Sequence, residues 1–386
     1  MYQILACGSN GNYQLGQNNN DDQYILKPSV FQSTCTEAAA VAPQTTYTEA
    51  AAPPQTTSLL GIEVKKIACG GNHTLILFEN GDVYSCGSNE FGQTGHDINK
   101  NADIVGIFKK IETQETNCKW TDISCTWESS FLVNDQNELY CCGNGLKGEL
   151  GLGSHITKQD RITFVKKFER TVLKLKSSMN HTVVQTAHGE LYGWGNCRKG
   201  QLGKIDNSLI KKGAVWRPTL LSFGLDNSLI DDFQLGREYT AVISYQKKSL
   251  QLYGKSVINM EDVNKYNLET SDKIENLESM WSSIHYKLGN RIKSFGVNSH
   301  GQLFDYIVPA NRISPSFTFK TGSEHGLVLI DNVVYAWGWG EHGNCGKSLT
   351  DPNKITFDYL NPIFEKANKV HLIAGGCATS WVVIEV

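Results

Sequence analysis

One string recurs along this chain and constrains its fold more than any bulk property does. Val334 to Gly346 (VYAWGWGEHGNCG) reads as a short apolar strand running into a glycine-rich loop. Versions of it stand at Ile4 to Gly16 (ILACGSNGNYQLG), Val83 to Gly95 (VYSCGSNEFGQTG), Leu139 to Gly151 (LYCCGNGLKGELG), Leu191 to Gly203 (LYGWGNCRKGQLG) and Ile292 to Phe304 (IKSFGVNSHGQLF). Taking Gly8, Gly87, Gly143, Gly195, Gly254, Gly296 and Gly338 as register marks gives seven copies. A period of about 50 residues is the signature of a repeat architecture rather than of separate domains.

A second motif precedes the first. Ile67 to Tyr84 (IACGGNHTLILFENGDVY) holds a short strand, a glycine turn, a strand beginning at His73 and an Asn80-Gly81 hairpin signal. The pattern returns at Ile123 to Tyr140, Leu175 to Tyr192, Phe233 to Ser244 and Phe319 to Tyr335, and without its last strand at Leu372 to Val386. The chain begins with only the glycine-loop strand and ends with only the pair that precedes it. The expected fold is therefore all-β: residues 1–386 as a single seven-bladed β-propeller of four-stranded blades, closed by pairing the N- and C-terminal strands. Closure of this kind leaves no long sheet edge open.

Two regions depart from the repeat. Ser33 to Ser58 is a low-complexity near-duplication (TEAAAVAPQTT, TEAAAPPQTT), read as a disordered insert within the first blade region. The fifth copy, around Leu250 to Lys255, has lost its second loop glycine, and Glu261 to Glu278 is polar and partly helix-prone. Met280 to His285 (MWSSIH), which lacks the inner glycine and histidine, is assigned to the same degenerate fifth blade.

Composition narrows the function. A formal charge of −3 over 386 residues gives no overall electrostatic footprint for nucleic acid. No apolar run approaches the ~18 residues of a membrane span and the amino terminus does not read as a signal peptide, so the expected location is cytoplasmic and nuclear. Eleven cysteines, an odd number, suit reduced thiols. Cys7, Cys86 and Cys142 share one repeat position with Trp194, Phe295 and Trp337, which indicates core packing rather than metal ligation.

The repeats, with their GxNxxGQLG and IAxGxxHTxxL strings, resemble the regulator-of-chromosome-condensation propeller family over nearly the whole chain outside the insert. That resemblance implies the fold but serves exchange factors, ubiquitin ligases, inhibitors and scaffolds alike. A narrower resemblance is to the fungal alpha-tubulin suppressor branch, carried by Ile67 to His73, Thr321 to Gly326, Trp337 to Gly346, Gly375 to Trp381 and the MWSSIH string at Met280. It implies a non-enzymatic, cofactor-free subunit that heterodimerises with a small CSL-type zinc-finger electron-transfer protein. Through that partner it would serve diphthamide biosynthesis and Elongator-dependent modification of the tRNA wobble uridine. The alternatives implied are a guanine-nucleotide exchange factor for a small GTPase, or a cytoskeletal or ubiquitin scaffold.

Site residues divide by whether the repeat demands them. Gly338, Gly340 and Gly343 satisfy G-x-G-x-x-G, but no helix is expected after them, so a dinucleotide site is rejected. Gly346-Lys347-Ser348 lacks the first glycine of a P-loop, whose place falls on Glu341. His73, His181 and His325 recur where other copies have Ser129 and Tyr239, and read as structural histidines hydrogen-bonding strands inside each blade. Trp339 stands for the turn asparagines Asn10, Asn89, Asn144, Asn196 and Asn298. Glu341 and His342 replace Arg198 and Lys199, or Ser299 and His300. Because the repeat does not call for them, Trp339, Glu341 and His342, with Glu324 and Trp381, form the expected partner-binding cluster, aromatic anchors among polar groups.

Overall fold

The computed structural model describes residues 1–32, 56–98, 103–112, 118–224, 227–244, 249–256, 258–261, 263, 274–288, 291–304, 306–307, 317–348, 350–351 and 353–386. These residues form seven sheets arranged as blades, antiparallel except where Phe31–Gln32 runs parallel to Ile104–Lys110. Numbered by the register glycines, blade 2 holds Val64–Cys69, His73–Phe78, Val83–Ser88 and Ile104–Lys110, and blade 3 holds Trp120–Cys125, Ser129–Asn134, Glu138–Asn144 and Lys158–Lys167. Blade 4 holds Val172–Ser177, His181–Thr186, Leu191–Asn196 and Ala214–Leu220, and blade 5 holds Asp232–Leu235, Tyr239–Ser244 and Ser249–Gly254. Blade 6 holds Ile274–Ser279, Ser283–Leu288, Arg291–Gly296 and Tyr306–Ile307, and blade 7 holds Phe317–Thr321, His325–Ile330, Val333–Trp339 and Thr356–Phe364.

Blade 1 is the closure. Its inner strands Val370–Gly375 and Thr379–Glu385 come from the C-terminus, and Tyr2–Gly8 and Gln23–Pro28 from the N-terminus. Tyr2–Gly8 pairs with Thr379–Glu385 without a register break, from Tyr2 opposite Glu385 to Gly8 opposite Thr379. Strand alternation then divides the apolar side chains between two neighbours. Ile4, Ala6, Trp381 and Val383 pack toward blade 2, whereas Leu5, Val382 and Ile384 pack toward blade 7. Both faces of these strands are buried, so they read as continuous apolar runs and any one-residue slip would exchange the two cores.

Two expectations need correction. Ile274–Ser279 is the inner strand of blade 6, so the MWSSIH string is the inner turn and second strand of that blade, and not part of the fifth. The polar stretch at 261–278 therefore ends in a strand, where Ile274 and Leu277 enter the core shared with blade 5. Most of the low-complexity insert lies outside the described residues. Its end does not: Thr56–Thr57 pairs with Phe31–Gln32, which in turn lies against Ile104–Lys110 on the outer edge of blade 2.

The inner strands of all seven blades surround a central cavity of about 360 Å3. Charged side chains tie the inner strands of neighbouring blades together around it. Lys66 of blade 2 meets Asp122 of blade 3 at 2.6 Å, Lys174 and Lys176 of blade 4 meet Asp232 of blade 5 at 2.8 and 3.1 Å, and Lys320 of blade 7 meets Glu278 of blade 6 at 2.6 Å. Burial pulls the Lys176 ammonium below the usual lysine range, against the pull of Asp232.

Candidate functional site

In an antiparallel blade, the turn between the first two strands and the loop between the last two emerge at the same end. This end carries the inner turns at Asn72, Glu128, Asn180, Glu238, Ser282, Glu324 and Ala378, together with the glycine loops. The two are locked in every blade, because the residue after each register glycine donates its backbone N–H to the inner-turn carbonyl: Ser88 to Asn72, Trp339 to Glu324 and Ser9 to Ala378 at 2.8, 2.9 and 2.8 Å. The register glycines make this closeness possible. Gly338 has φ +101°, and a Cβ there would stand 2.7 Å from the Glu324 carbonyl oxygen.

The structural residues bind blade to blade rather than strand to strand within a blade. His73 Nε2 lies 2.8 Å from Ser130 Oγ of blade 3, and Ser130 Oγ donates to the carbonyl of Gln93 at 2.6 Å. Since the serine proton is committed, His73 must donate from Nε2. His325 repeats the geometry with Ser380 of blade 1, which donates to Asn344, and His181 reaches Thr240 of blade 5 at 3.4 Å. The inside-the-blade reading is thus corrected: the chain bends so that the second strand of each blade faces the glycine loop of the one before. Burial holds His73 at a pKa of about 3 and His181 and His325 at about 4, so all three are neutral. The position preceding the register glycine does related work. Trp194 donates to the Glu149 carbonyl at 2.6 Å and Trp337 to the Gln302 carbonyl at 3.0 Å, while the buried Cys86 thiol points at the Gln14 carbonyl. The cysteines described are all free. Burial raises the Cys7 and Cys142 thiols to about 12, which suits packing rather than nucleophilic chemistry.

The five expected partner-binding residues do not form one cluster. Trp339 and Glu324 come together between blades 6 and 7. The indole stacks on the His300 imidazole, with centroids 4.4 Å apart and planes 14° apart, and its buried N–H has no acceptor among the described residues. Glu324 accepts from Ser282 Oγ at 2.7 Å and Gln302 Nε2 at 3.2 Å; partial burial raises its carboxyl pKa. His342 belongs to a neighbouring contact between blades 7 and 1, with Nδ1 2.8 Å from the Asp22 carboxylate and its side chain 44% exposed. Glu341 is exposed beside it, its carbonyl 3.4 Å from the Tyr24 hydroxyl. Trp381 is a correction. It is fully buried, edge-on to Phe108 at 6.1 Å, because its place in the strand alternation points it into the core between blades 1 and 2.

Of the five asparagines expected at the repeat position of Trp339, Asn144 and Asn196 belong there, and Asn10, Asn89 and Asn298 stand one residue further on. Strand pairing aligns it with Ser88, Asn144 and Asn196, immediately after the register glycine. Gly340 takes the place of Asn10, Asn89 and Asn298, whose side-chain oxygens accept from backbone N–H groups later in their loops, as Asn10 Oδ1 does from Leu15. The aromatic is still foreign to the repeat, since the equivalent residues are small, polar or valine.

Sequence reasoning missed His300 against Trp339, Gln302 and Ser282 on Glu324, and a second aromatic pair. Trp127 of blade 3 and Trp281 of blade 6 meet with centroids 6.0 Å apart at the mouth of the central cavity. Both stand two residues before the inner-turn histidine position, where other copies have Gly71, Met179, Arg237, Ser323 and Cys377. That outlier pattern was the available signal. Their backbones join arcs of hydrogen bonds around the mouth: Gly71 to Trp127 to Met179, and Arg237 to Trp281 to Ser323 to Gly376.

A serine–histidine relay is also present but serves packing. Ser283 Oγ lies 2.9 Å from His285 Nε2, and His285 Nδ1 2.7 Å from Ser294 Oγ. Ser283 and His285 have no exposed surface, and burial drops the His285 pKa to about 3, so the relay offers no substrate an approach. The loop after Gly343 leads to strand Thr356–Phe364 rather than to the helix a dinucleotide site requires. No group of three or more metal-ligating side chains is assembled among the described residues, and none of their helices is long and apolar enough to cross a membrane.

Fold and face define a class: a seven-bladed repeat propeller whose loop end carries a polar and aromatic surface. Comparison with known proteins agrees. The Regulator of chromosome condensation (RCC1) repeat matches residues 3–77 and 64–93. The RCC1 repeat-containing protein C10F6.04 of Schizosaccharomyces pombe is 27% identical over 398 residues, covering 99% of each chain. The secretion-regulating guanine nucleotide exchange factor of Mus musculus is 21% identical, over 83% of this chain and 76% of its own length. Human WBSCR16 superposes with a TM-score of 0.73 at 16% identity, over 100% of this chain and 99% of its own. The chain is a seven-bladed β-propeller whose N-terminal repeats match the RCC1 repeat.

Proposed function

We propose that this propeller is a non-catalytic binding subunit that heterodimerises with a small CSL-type zinc-finger electron-transfer protein. In that role it regulates diphthamide biosynthesis and Elongator-dependent modification of the tRNA wobble uridine, working in the cytoplasm and nucleus without a cofactor of its own and without direct contact to nucleic acid. The observation that carries the reading is the Trp339–His300 stack beside Glu324. These groups sit on the loop end, exceed what the repeat needs, and include an indole N–H with no acceptor among the described residues. An aromatic anchor ringed by polar groups is the common form of an interface hot spot. The resemblance of Thr321 to Gly326, Trp337 to Gly346 and Gly375 to Trp381 to the fungal alpha-tubulin suppressor branch supports this choice of partner.

Affinity purification of the chain from cells tests this reading. A CSL-type zinc-finger protein recovered at equal stoichiometry at moderate salt supports it. The mouse relative's name favours a second reading, an exchange factor for a small GTPase; a GTPase retained only after its nucleotide is stripped would establish that instead.

A further inference from the structure

Cations inside the ring are neutralised, whereas a set on the outside is not. Lys66, Lys176 and Lys320 each meet a carboxylate around the central cavity. Between the outer parts of blades 3 and 4 lies a separate groove of about 470 Å3 formed by residues 152–156 and 208–219. Lys211, Arg217 and His155 line it, and among the described residues no carboxylate does. Neither Lys211 nor Arg217 has an ion-pair partner among the described residues. The nearby acid, Asp206, turns its carboxylate onto the backbone N–H of Ser208 at 2.9 Å.

The groove is held open by backbone rather than by mobile side chains. Gly153 N–H donates to the Trp216 carbonyl at 2.8 Å, joining the two walls, and Trp216 Nε1 donates to the Lys211 carbonyl at 2.8 Å, fixing the turn that presents the lysine. The Arg217 guanidinium lies over Gly153, where a Cβ would come within 3.0 Å of it. In the same groove Ile156 and Leu209 are 40% and 48% exposed. Lys212, next to Lys211 in the chain, is exposed and accepts at its carbonyl from the exposed Arg198 at 3.2 Å.

We propose that this groove docks an acidic protein segment bearing aliphatic side chains. Its carboxylates meet Lys211 and Arg217, and its aliphatic groups cover Ile156 and Leu209. Charge complementarity argues for an anionic occupant, on a chain whose formal charge is −3 overall. The apolar lining argues for a protein one. Single-stranded nucleic acid is gripped by exposed aromatic platforms, whereas the aromatic residue here, Trp216, is 9% exposed with its N–H committed to Lys211. The exposed apolar groups are branched aliphatics, which suit a leucine-bearing peptide. The site is on blades 3 and 4, apart from the Trp339 stack, and does not depend on the identity of the partner bound there.

Fluorescence anisotropy of the full chain with labelled peptides tests the proposal. One peptide alternates Glu and Leu, a second alternates Glu and Ser, and an oligouridylate of equal charge is the third probe. The Glu/Leu peptide is expected to bind more tightly than the other two, and the Lys211→Glu, Arg217→Glu double variant to weaken it on the order of tenfold or more at an unchanged melting temperature. Trp339→Ala is expected to leave that affinity as it is. No binding of the Glu/Leu peptide, equal binding by the double variant, tighter binding of the oligouridylate, or loss on Trp339→Ala would each overturn it.

Discussion

His73, His181 and His325 do a structural task that carries a pH signature. Each is buried and neutral, with a pKa of about 3 or 4 against about 6.5 in the unfolded chain, and His285 adds a fourth at about 3. Depressed folded values mean that the unfolded chain binds the protons first. The histidine contribution to stability is therefore fully present above about pH 6.5 and is lost progressively as pH falls toward 4. At pH 5 each histidine should cost up to about 2 kcal/mol relative to neutral pH. Denaturant titrations of His325→Gln, which retains a donor for Ser380, should show a shallower loss of stability between pH 7 and 5 than the parent; parallel curves would remove His325 from the account. At this scale the sequence showed which residues were structural, because they recur. It did not show their partners, since Ser130 and Ser380 lie one blade away and only the closed ring brings them to the histidines. Trp381 was misplaced for a related reason: a tryptophan near the ring closure looks the same in sequence whether its strand position faces core or solvent.

Within a blade, the controlling contact is the register glycine against the inner turn. Gly338→Ala sets a Cβ 2.7 Å from the Glu324 carbonyl oxygen and 2.8 Å from the His325 Cα at φ +101°, so backbone has to move. The expected loss is at least about 2 kcal/mol in chemical denaturation. Gly61→Ala, where a Cβ meets nothing within 4 Å, should be close to neutral and serves as the control. Equal stability of the two variants would contradict the assigned role. Blade number, strand order and closure were legible because period, glycines and alternation all agree. The junction of blades 5 and 6 was not, because Met280 and Ser283 replace the glycine and histidine that mark the turn elsewhere. Trp339 was aligned correctly with Asn144 and Asn196 but one position off from Asn10, Asn89 and Asn298, since the loop asparagine shifts by one residue between copies and strand pairing was needed to fix the frame.

The whole molecule depends on its last strand. Val382, Val383 and Ile384 are buried, pair with Leu5, Ile4 and Gln3, and contribute to two inter-blade cores. Deleting residues 382–386 should abolish the cooperative thermal transition of the full ring; a truncated chain melting like the parent would show that closure is dispensable. A ring sealed in this way can present a rigid loop end, with the inner turns bridged across the Trp127–Trp281 pair and the Trp339 stack braced by His300. The candidate partner surface was partly legible, because Trp339 broke the repeat, while its His300, Gln302 and Glu324 surroundings required neighbouring blades to be brought together. Isothermal titration of a purified CSL-type zinc-finger protein into the chain and its Trp339→Ala, His342→Ala variant tests the central claim most directly. The account predicts one-to-one binding that weakens on the order of tenfold or more in the variant at an unchanged melting temperature; absence of binding to the parent chain, or identical affinity in both, contradicts it.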